Sequence, residues 1–439
     1  MYHSLHAGRG IAAAGVVLFH LGGICWGRQY FGTDWTLAAT APGAAGVEFF
    51  FVLSGFVIAT AHAKDLAAAG GTGRASFRDR LSKTWLFARR RVVRVHVPYV
   101  ALFAAFAIPA LIFATLRPGS MPEQTAPTDP LKLVAAATLL PLDHDWVGGS
   151  VGRAAPVLGV AWTLQYEVLF YAAFALVLLD RRLMWPLIAG MLGLWAAERS
   201  GVALDYPLDF CATPYPPLFA AGAGVAWVRR KITDRTGVKW AVGLLTLGTI
   251  GLVMVSVESI LAGGLKRGGP FGYWEVWIRG VAFSVLALGL VLCEDRGWKI
   301  GRSRVTRWFG DVSYAWYLVH QALFSIIFKV GAALGLMAYG LTSMLPLAAF
   351  ALAVSLAAAA LFHHYYEKPA VAWCRKRFLP PRSKPVTAEG LRVHGLESSV
   401  RPQGVSSEPS GPQAIDSKPI ADQATSRVDT DPSDARAAA

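Results

Sequence analysis

The chain has 439 residues, of which 54% are hydrophobic and only 16% are charged. Soluble domains carry about 25% charged residues, so this composition excludes an ordinary soluble domain. The formal net charge of +14 does not indicate nucleic-acid binding, because the basic residues lie in short loops between apolar runs, which is typical of membrane topology.

The apolar runs predict membrane-spanning helices. Each is about 20 residues long, enough to cross a hydrocarbon core of about 30 Å. They are continuously apolar and do not alternate, which favours helices over strands. The sequence predicts an all-α, polytopic integral membrane bundle of about ten transmembrane helices, at residues 9–26, 43–63, 92–116, 157–179, 183–198, 214–228, 239–262, 274–293, 312–337 and 342–366. The apolar stretch 131–141 is too short to span and is predicted to be interfacial or re-entrant.

The distribution of Lys and Arg predicts the orientation. With the N-terminus inside, the inner loops hold about three times as many Lys and Arg residues as the outer loops. Both termini are therefore predicted to be cytoplasmic. Residues 380–439 are rich in Pro, Ser, Asp and Ala, which predicts a disordered cytoplasmic tail after a transmembrane domain at 1–379. The four cysteines are scattered without metal-ligand spacing, so no metal is predicted.

The first span carries a basic residue and a histidine on one helix face. Arg9 and His20 are separated by three helical turns plus about 20°, which is about 16 Å along the axis. Arg9 is predicted at the cytoplasmic mouth and His20 near mid-membrane. Taken alone, the pair is also compatible with a topology charge and a hydrogen-bonding histidine between helices.

The next two spans add charged residues at their predicted ends. Glu48 is placed near the outer end of the second span, where it faces either a substrate or a water-filled vestibule. Arg91 and Arg94, in RRRVVRVHVPY at 89–99, enter the third span from the inner surface. They serve either as lipid-headgroup anchors or as a clamp for the phosphates of a cytoplasmic cosubstrate.

Two later spans carry polar residues at helical spacing. Glu167 lies mid-span in WTLQYEVLFY, with Tyr171 one turn away on the same face. A carboxylate at that depth must be paired, protonated or facing a wet cavity. Ser313, Tyr317 and His320 form a stripe on one helix, which is explained either by a pocket or by helix packing.

In chain order, these stretches resemble acyltransferase family 3, the membrane acyltransferases that modify cell-surface and exported glycans. Five motifs carry the resemblance: Arg9 with His20, GVEFFFVLSGFVIA at 46–59, WTLQYEVLFY at 162–171, SYAWYLVHQ at 313–321 and YYEKPA at 365–370. The sequence departs from the family at the third helix, where His96 and Val97 follow the two arginines in place of Tyr-Pro.

The resemblance implies an acyl-CoA donor, commonly acetyl-CoA, and a carbohydrate or glycolipid hydroxyl as acceptor, at the cytoplasmic (inner) membrane. It implies a catalytic group of His20, Glu167 and Arg9. His20 acts as general base or carries a transient acyl group, and Glu167 orients or stabilises its imidazole. Arg9, Arg91 and Arg94 hold the donor phosphates. The expected pocket lining is His320, Tyr317, Ser313, Glu48 and Tyr171.

Two other classes of protein use similar features. A transporter of polar or acylated metabolites also needs intramembrane charges in a polytopic bundle, but the sequence has no inverted repeat. A scaffold or receptor does not explain polar stripes on three helices, because such stripes are unfavourable without a cavity to face. The acceptor glycan, the acyl chain and the oligomeric state stay open at this point.

Overall fold

The computed structural model describes residues 2–69, 76–119, 129–141, 157–232, 237–261 and 274–380. Within these ranges the chain is helical and has no strand, as predicted. The principal helices are α1 (His3–Trp26), α2 (Asp34–Thr40), α3 (Gly46–Ala61), α4 (Ala63–Ala68), α5 (Phe77–Leu116), α6 (Pro130–Thr138), α7 (Trp162–Leu179), α8 (Met184–Arg199), α9 (Leu208–Cys211), α10 (Pro216–Lys231), α11 (Val238–Leu261), α12 (Glu275–Asp295), α13 (Arg304–Ala333), α14 (Leu341–Phe362) and α15 (Lys368–Phe378). The predicted tail lies, beyond Pro380, outside the described residues.

Eight helical stretches of the described chain are long and apolar enough to cross a membrane: His3–Trp26, Asp34–Ala61, Phe77–Leu116, Gly159–Leu179, Val238–Leu261, Glu275–Asp295, Arg304–Ala333 and Leu341–Phe378. They coincide with eight of the ten predicted spans, and they make this a multi-pass membrane protein. The other two predicted spans form α8 and α10, each of 16 residues, or about 24 Å of helix. The count of ten and the sides of the termini stay predictions.

A carboxylate from another helix fixes the start of α1. Glu294, near the end of α12, accepts hydrogen bonds from the backbone N–H groups of His3 and Ser4, both at 2.9 Å. The first N–H groups of a helix have no partner inside it, and negative charge there is favourable. This contact sets the position of α1 along the bundle, and with it the depths of Arg9 and His20.

Glycines bring α1 and α13 into close contact. A Cβ atom on Gly10 would lie 2.9 Å from the Cβ of Phe309, and one on Gly310 would lie 2.6 Å from the ring of His6. Small residues at such crossings let membrane helices approach closely. The approach aligns the face of α1 that carries His20 with the face of α13 that carries His320.

The second span differs from its predicted boundaries, which changes the position of Glu48. The span runs from Asp34 to Ala61, because α2 and the 3₁₀ turn Ala41–Ala45 precede α3. A Cβ on Gly43 would lie 2.0 Å from the carbonyl oxygen of Gly15, so this glycine permits the turn to press against α1. Glu48 therefore lies near the middle of the span, and the prediction of an outer-end position was wrong.

The short apolar stretch before the fourth span is α6, a helix of nine residues, which confirms that it is too short to span. It packs against α5. The Tyr99 hydroxyl donates to the carbonyl of Ala136 at 2.7 Å, and the Nε2 of His96 hydrogen-bonds to the carbonyl of Thr138 at 3.2 Å. His96, the departure from the family pattern, thus holds the last turn of α6.

Candidate active site

Two histidines from α1 and α13 meet inside the bundle. The Nδ1 of His20 lies 3.1 Å from the Nε2 of His320, and the ring centroids are 5.0 Å apart. Each Nδ1 also lies 3.0 Å from a carbonyl one turn earlier on its own helix, that of Val16 for His20 and that of Trp316 for His320. The sequence predicted both residues as site residues, and the structure brings them into direct contact.

A second polar contact joins α13 to α7. The hydroxyl of Tyr317 lies 2.9 Å from the Oγ1 of Thr163 and donates to the carbonyl of Val160 at 3.3 Å. The ring of Phe50 on α3 packs edge-on against Tyr317, at 5.7 Å between centroids. Since the Tyr317 ring also contacts His320 at 6.0 Å, this contact fixes α7 and α3 beside the histidine pair.

Glu167 is held by hydroxyl groups. Tyr171, one turn along α7, donates a hydrogen bond to its carboxylate, and Ser54 of α3 donates to the same oxygen at 3.4 Å. From the sequence, Glu167 was expected to orient His20. In the structure the side-chain partner of the His20 ring is His320, and Glu167 belongs to a neighbouring charged layer.

This charged layer combines residues from α1, α5, α7 and the turn after α14. Arg9 lies within electrostatic range of Arg94, Glu167 and Glu367. The Nη1 of Arg94 lies 3.9 Å from the Oε1 of Glu367, whose other oxygen lies 2.8 Å from the Nδ1 of His363. Arg94 keeps 38% of its side chain exposed, whereas Glu367 keeps 2%. The layer therefore presents the guanidinium of Arg94 outward and holds the carboxylate of Glu367 beneath it.

Arg91 lies beside this layer on α5. Its guanidinium stacks over the rings of Phe87 and Tyr171, at 5.3 and 5.7 Å from the ring centroids. Its Nε is buried without a hydrogen-bond partner among the described residues. Arg91, Arg94 and Arg9 thus bring three positive charges to one end of the polar interior, which suits an anionic group better than a neutral one.

Glu48 belongs to a separate buried network. Its Oε1 lies 3.4 Å from the Nη1 of Arg279, and Arg279 also donates to Glu275 and, at 2.9 Å, to Ser259. Glu275 and Arg279 lie one turn apart on α12 and form an i, i+4 ion pair. The sequence analysis left Glu48 facing a substrate or a vestibule, and in the structure it faces this arginine.

Of the predicted stripe of Ser313, Tyr317 and His320, Ser313 contributes least to the contacts between helices, because its hydroxyl donates to the carbonyl of Gly310 on its own helix at 2.7 Å. Sequence reasoning missed Glu367, Tyr314 and Ser54 as members of the polar interior. The YYEKPA motif contains Glu367, so the signal was present there. Nothing in the sequence shows that Tyr314 reaches the carbonyl of Val95 at 2.9 Å.

Comparison with known proteins agrees with these observations. A family model described as an acyltransferase domain matches residues 2–364. Exopolysaccharide production protein ExoZ of Rhizobium meliloti (strain 1021) is 28% identical over 305 residues, which cover 67% of this chain and 80% of that protein. No solved structure matches the chain significantly. The family match includes both histidines and all three arginines of the polar interior.

Proposed function

The chain belongs to the acyltransferase-domain family and is a membrane acyltransferase, and from this premise we propose that it transfers an acyl group from acyl-CoA to a hydroxyl of a carbohydrate. The observation that carries this proposal is the arrangement along α1. Arg9 belongs to a layer rich in guanidinium groups, and His20 lies on the same helix about 16 Å further along the axis, where it contacts His320 of α13. An elongated anionic thioester fits both ends of this arrangement.

The donor would bind through its phosphates. Coenzyme A carries several negative charges, and guanidinium groups recognise phosphate through paired hydrogen bonds. Arg94 is partly exposed and Arg91 has an unpaired buried Nε among the described residues, so both have capacity for a ligand. Glu167 and Glu367 would keep the guanidinium groups apart and aligned when no donor is present.

The reaction would use His20 as general base. The acceptor hydroxyl gives its proton to His20 as its oxygen attacks the thioester carbonyl. The new carbon–oxygen bond forms, the carbon–sulfur bond breaks, and the thiolate of coenzyme A takes the proton back from His20. In the alternative with a transient acyl group on His20, a carbon–nitrogen bond to the imidazole forms as the carbon–sulfur bond breaks; the acceptor oxygen then forms the carbon–oxygen bond as the carbon–nitrogen bond breaks, and the hydroxyl proton ends on the thiolate of coenzyme A.

The acceptor class rests on the relative. That protein is named for exopolysaccharide production, and we propose that this chain likewise modifies a surface or exported polysaccharide, or its lipid-linked precursor, in the cytoplasmic membrane. We propose acetyl as the acyl group.

The test combines a deletion strain with a purified enzyme. Mass spectrometry of glycans from the deletion strain should lack one acyl mass, which identifies both group and acceptor. Proteoliposomes with the purified chain and radiolabelled acetyl-CoA should then label the acceptor isolated from that strain. An unchanged glycan profile, together with no labelling under any acyl-CoA, would overturn the proposed function.

A further inference from the structure

We propose that His320 is a positioning residue that, together with the backbone carbonyl of Val16, fixes the tautomer of His20, so that the Nε2 of His20 is the nitrogen that accepts the proton. This inference rests on the proposed function, since it assigns the reacting atom of the same site. It departs from the expectation that His320 lines the pocket and touches substrate.

The proton positions follow from the acceptors around the two rings. A backbone carbonyl can only accept a hydrogen bond. The Nδ1 of His320 lies 3.0 Å from the carbonyl of Trp316, so this nitrogen carries the proton. In a neutral imidazole the other nitrogen is then a lone-pair acceptor, and the Nε2 of His320 is that acceptor.

The same reasoning applies to His20. Its Nδ1 lies 3.0 Å from the carbonyl of Val16 and 3.1 Å from the Nε2 of His320. Both neighbours are acceptors, so the Nδ1 of His20 carries a proton that it shares between them. Its Nε2 is consequently the nitrogen with a lone pair. In the opposite tautomer, the Nδ1 of His20 would carry no proton, and it would face two further acceptors, the carbonyl of Val16 and the Nε2 of His320.

Burial separates the roles of the two rings. His320 is 0% exposed, and it packs against Phe324 at 5.8 Å and Tyr317 at 6.0 Å between ring centroids. His20 is only partly buried. His20 thus keeps some accessible surface, while His320 lies behind it and acts through it.

A neutral partner suits this depth in a membrane. In soluble hydrolases a buried carboxylate fixes the tautomer of the catalytic histidine. An ionised carboxylate at mid-membrane is unfavourable unless it is paired. The lone pair of a neutral imidazole provides the acceptor without adding a charge, whereas Glu167 is occupied by Tyr171 and Ser54.

Replacement of His320 by Gln and by Leu provides the kinetic test. His320→Gln keeps an acceptor oxygen at the end of a side chain of similar length, and His320→Leu keeps bulk without an acceptor. We expect His320→Leu to lower kcat by about 10²-fold or more with little change in KM, because the proton on the Nδ1 of His20 loses one of its two acceptors and the ring loses the contact that orients it. We expect His320→Gln to stay within about 10-fold of wild type.

Ser355→Ala is the matched control. Ser355 of α14 accepts a buried hydrogen bond at 3.0 Å from the Nε1 of Trp316, and Trp316 lies on α13, the helix of His320. Loss of this bond should leave kcat within about 2-fold, at a stability loss typical of one hydrogen bond. If Ser355→Ala lowered kcat as much as His320→Leu, the effect would be one of helix packing and the proposal would fail.

Three other outcomes would also overturn it. A Gln variant as inactive as the Leu variant would mean that His320 itself moves a proton. A loss that falls mainly on the KM of the acceptor would mean that His320 touches substrate. Equal activity of all three proteins would remove His320 from the reaction.

A spectroscopic measurement tests the tautomer without any assay of activity. Histidine ¹⁵N shifts of the full-length protein in lipid, assigned by comparison with a His20→Gln variant, should show His20 protonated at Nδ1. His320→Leu should shift His20 toward protonation at Nε2, and His320→Gln should not. An Nε2-protonated His20 in the wild-type protein would refute the inference even if acyl transfer were established. Absence of acyl transfer together with the expected shifts would instead refute only the proposed function.

Discussion

Two groups of charged residues lie inside this bundle, and they differ in how completely their arginines are paired. In the network of Glu48, Glu275 and Arg279, the guanidinium is 5% exposed and donates to two carboxylates and to Ser259. In the layer of Arg9, Arg91 and Arg94, the shortest ion pair of Arg94 is 3.9 Å and that residue is 38% exposed.

The difference shows why intramembrane charge is an incomplete signal of function. Charge in a membrane needs compensation, and both groups have it in part. Only the second has cationic groups that are partly exposed or still lack partners among the described residues. We therefore assign Arg279 to the stability of the bundle and Arg9, Arg91 and Arg94 to the binding of a ligand.

The largest expected effect is on the histidine beside the second group. His20→Gln keeps size and hydrogen bonding but removes the basic nitrogen, so we expect acyl transfer to fall by about 10²–10⁴-fold while the protein accumulates in the membrane. Turnover of acyl-CoA in proteoliposomes measures this. His364→Gln, at an exposed histidine in the turn after α14, should be near wild type. A His20→Gln variant with normal turnover would return this residue to helix packing.

Loss of an ion pair in the network of Glu48, Glu275 and Arg279 should lower the stability of the protein and leave the rate of acyl transfer unchanged. Arg279→Met leaves the buried Glu48 and the partly buried Glu275 without their partner, which costs about 3–5 kcal/mol. We expect a lower thermal transition in detergent and an unchanged kcat for the protein that remains folded. The triple variant E48L/E275L/R279M should recover much of the stability, because well-packed apolar residues can replace a buried ion network.

Glu48→Gln decides the alternative that the sequence left open for this carboxylate. If it raised the KM for the acceptor and left the thermal transition unchanged, Glu48 would face substrate. The network of Glu48 would then bind a ligand as well, and it would no longer differ in role from the layer of Arg9, Arg91 and Arg94.

Changes in the layer of Arg9, Arg91 and Arg94 should alter the affinity for the acyl donor. Arg94→Ala removes a partly exposed cation at the mouth, so we expect the KM for acyl-CoA to rise by about 10-fold with kcat little changed, and Lys to restore it in part, since it lacks the planar fork. Lys83→Ala is the matched control, because Lys83 lies on the same helix and pairs with Asp65 at 3.4 Å. A loss confined to kcat would contradict a role in donor binding.

The sequence predicted the helical class, eight of the membrane spans and the candidate residues that meet in the polar interior. Helical period placed Arg9 with His20 and placed Ser313, Tyr317 and His320 on one face. It could not show which helices face each other, so the partner of His20 was expected to be Glu167. The observed contact of His20 with His320 depends on the close approach of α1 and α13 at their glycines, and such tertiary contacts cannot be read from helical period.

The boundaries of the second span failed for a related reason. The segment from Asp34 to Ala45 contains Thr, Pro and Gly residues and reads as a loop. In the structure it is helical and lies against α1, where the hydroxyl of Thr36 donates to the carbonyl of Gly22 at 3.1 Å. Packing against α1 overrides the local propensity.

The smallest expected effect concerns Tyr171, which makes two contacts beside the arginines. Its hydroxyl donates to Glu167 and its ring lies against the guanidinium of Arg91. Tyr171→Phe removes the hydroxyl that donates to Glu167 and keeps the ring 5.7 Å from the guanidinium of Arg91. Glu167 retains the hydroxyl of Ser54 and the charge of Arg9. The stacked cation contributes about 0.5–2 kcal/mol, so Tyr171→Leu should raise the KM for acyl-CoA several-fold, and Tyr171→Phe should raise it by about 2-fold or less. Equal losses in the two variants would show that the carboxylate and not the ring holds Arg91, and Glu167 would then be as much a part of donor binding as the arginines.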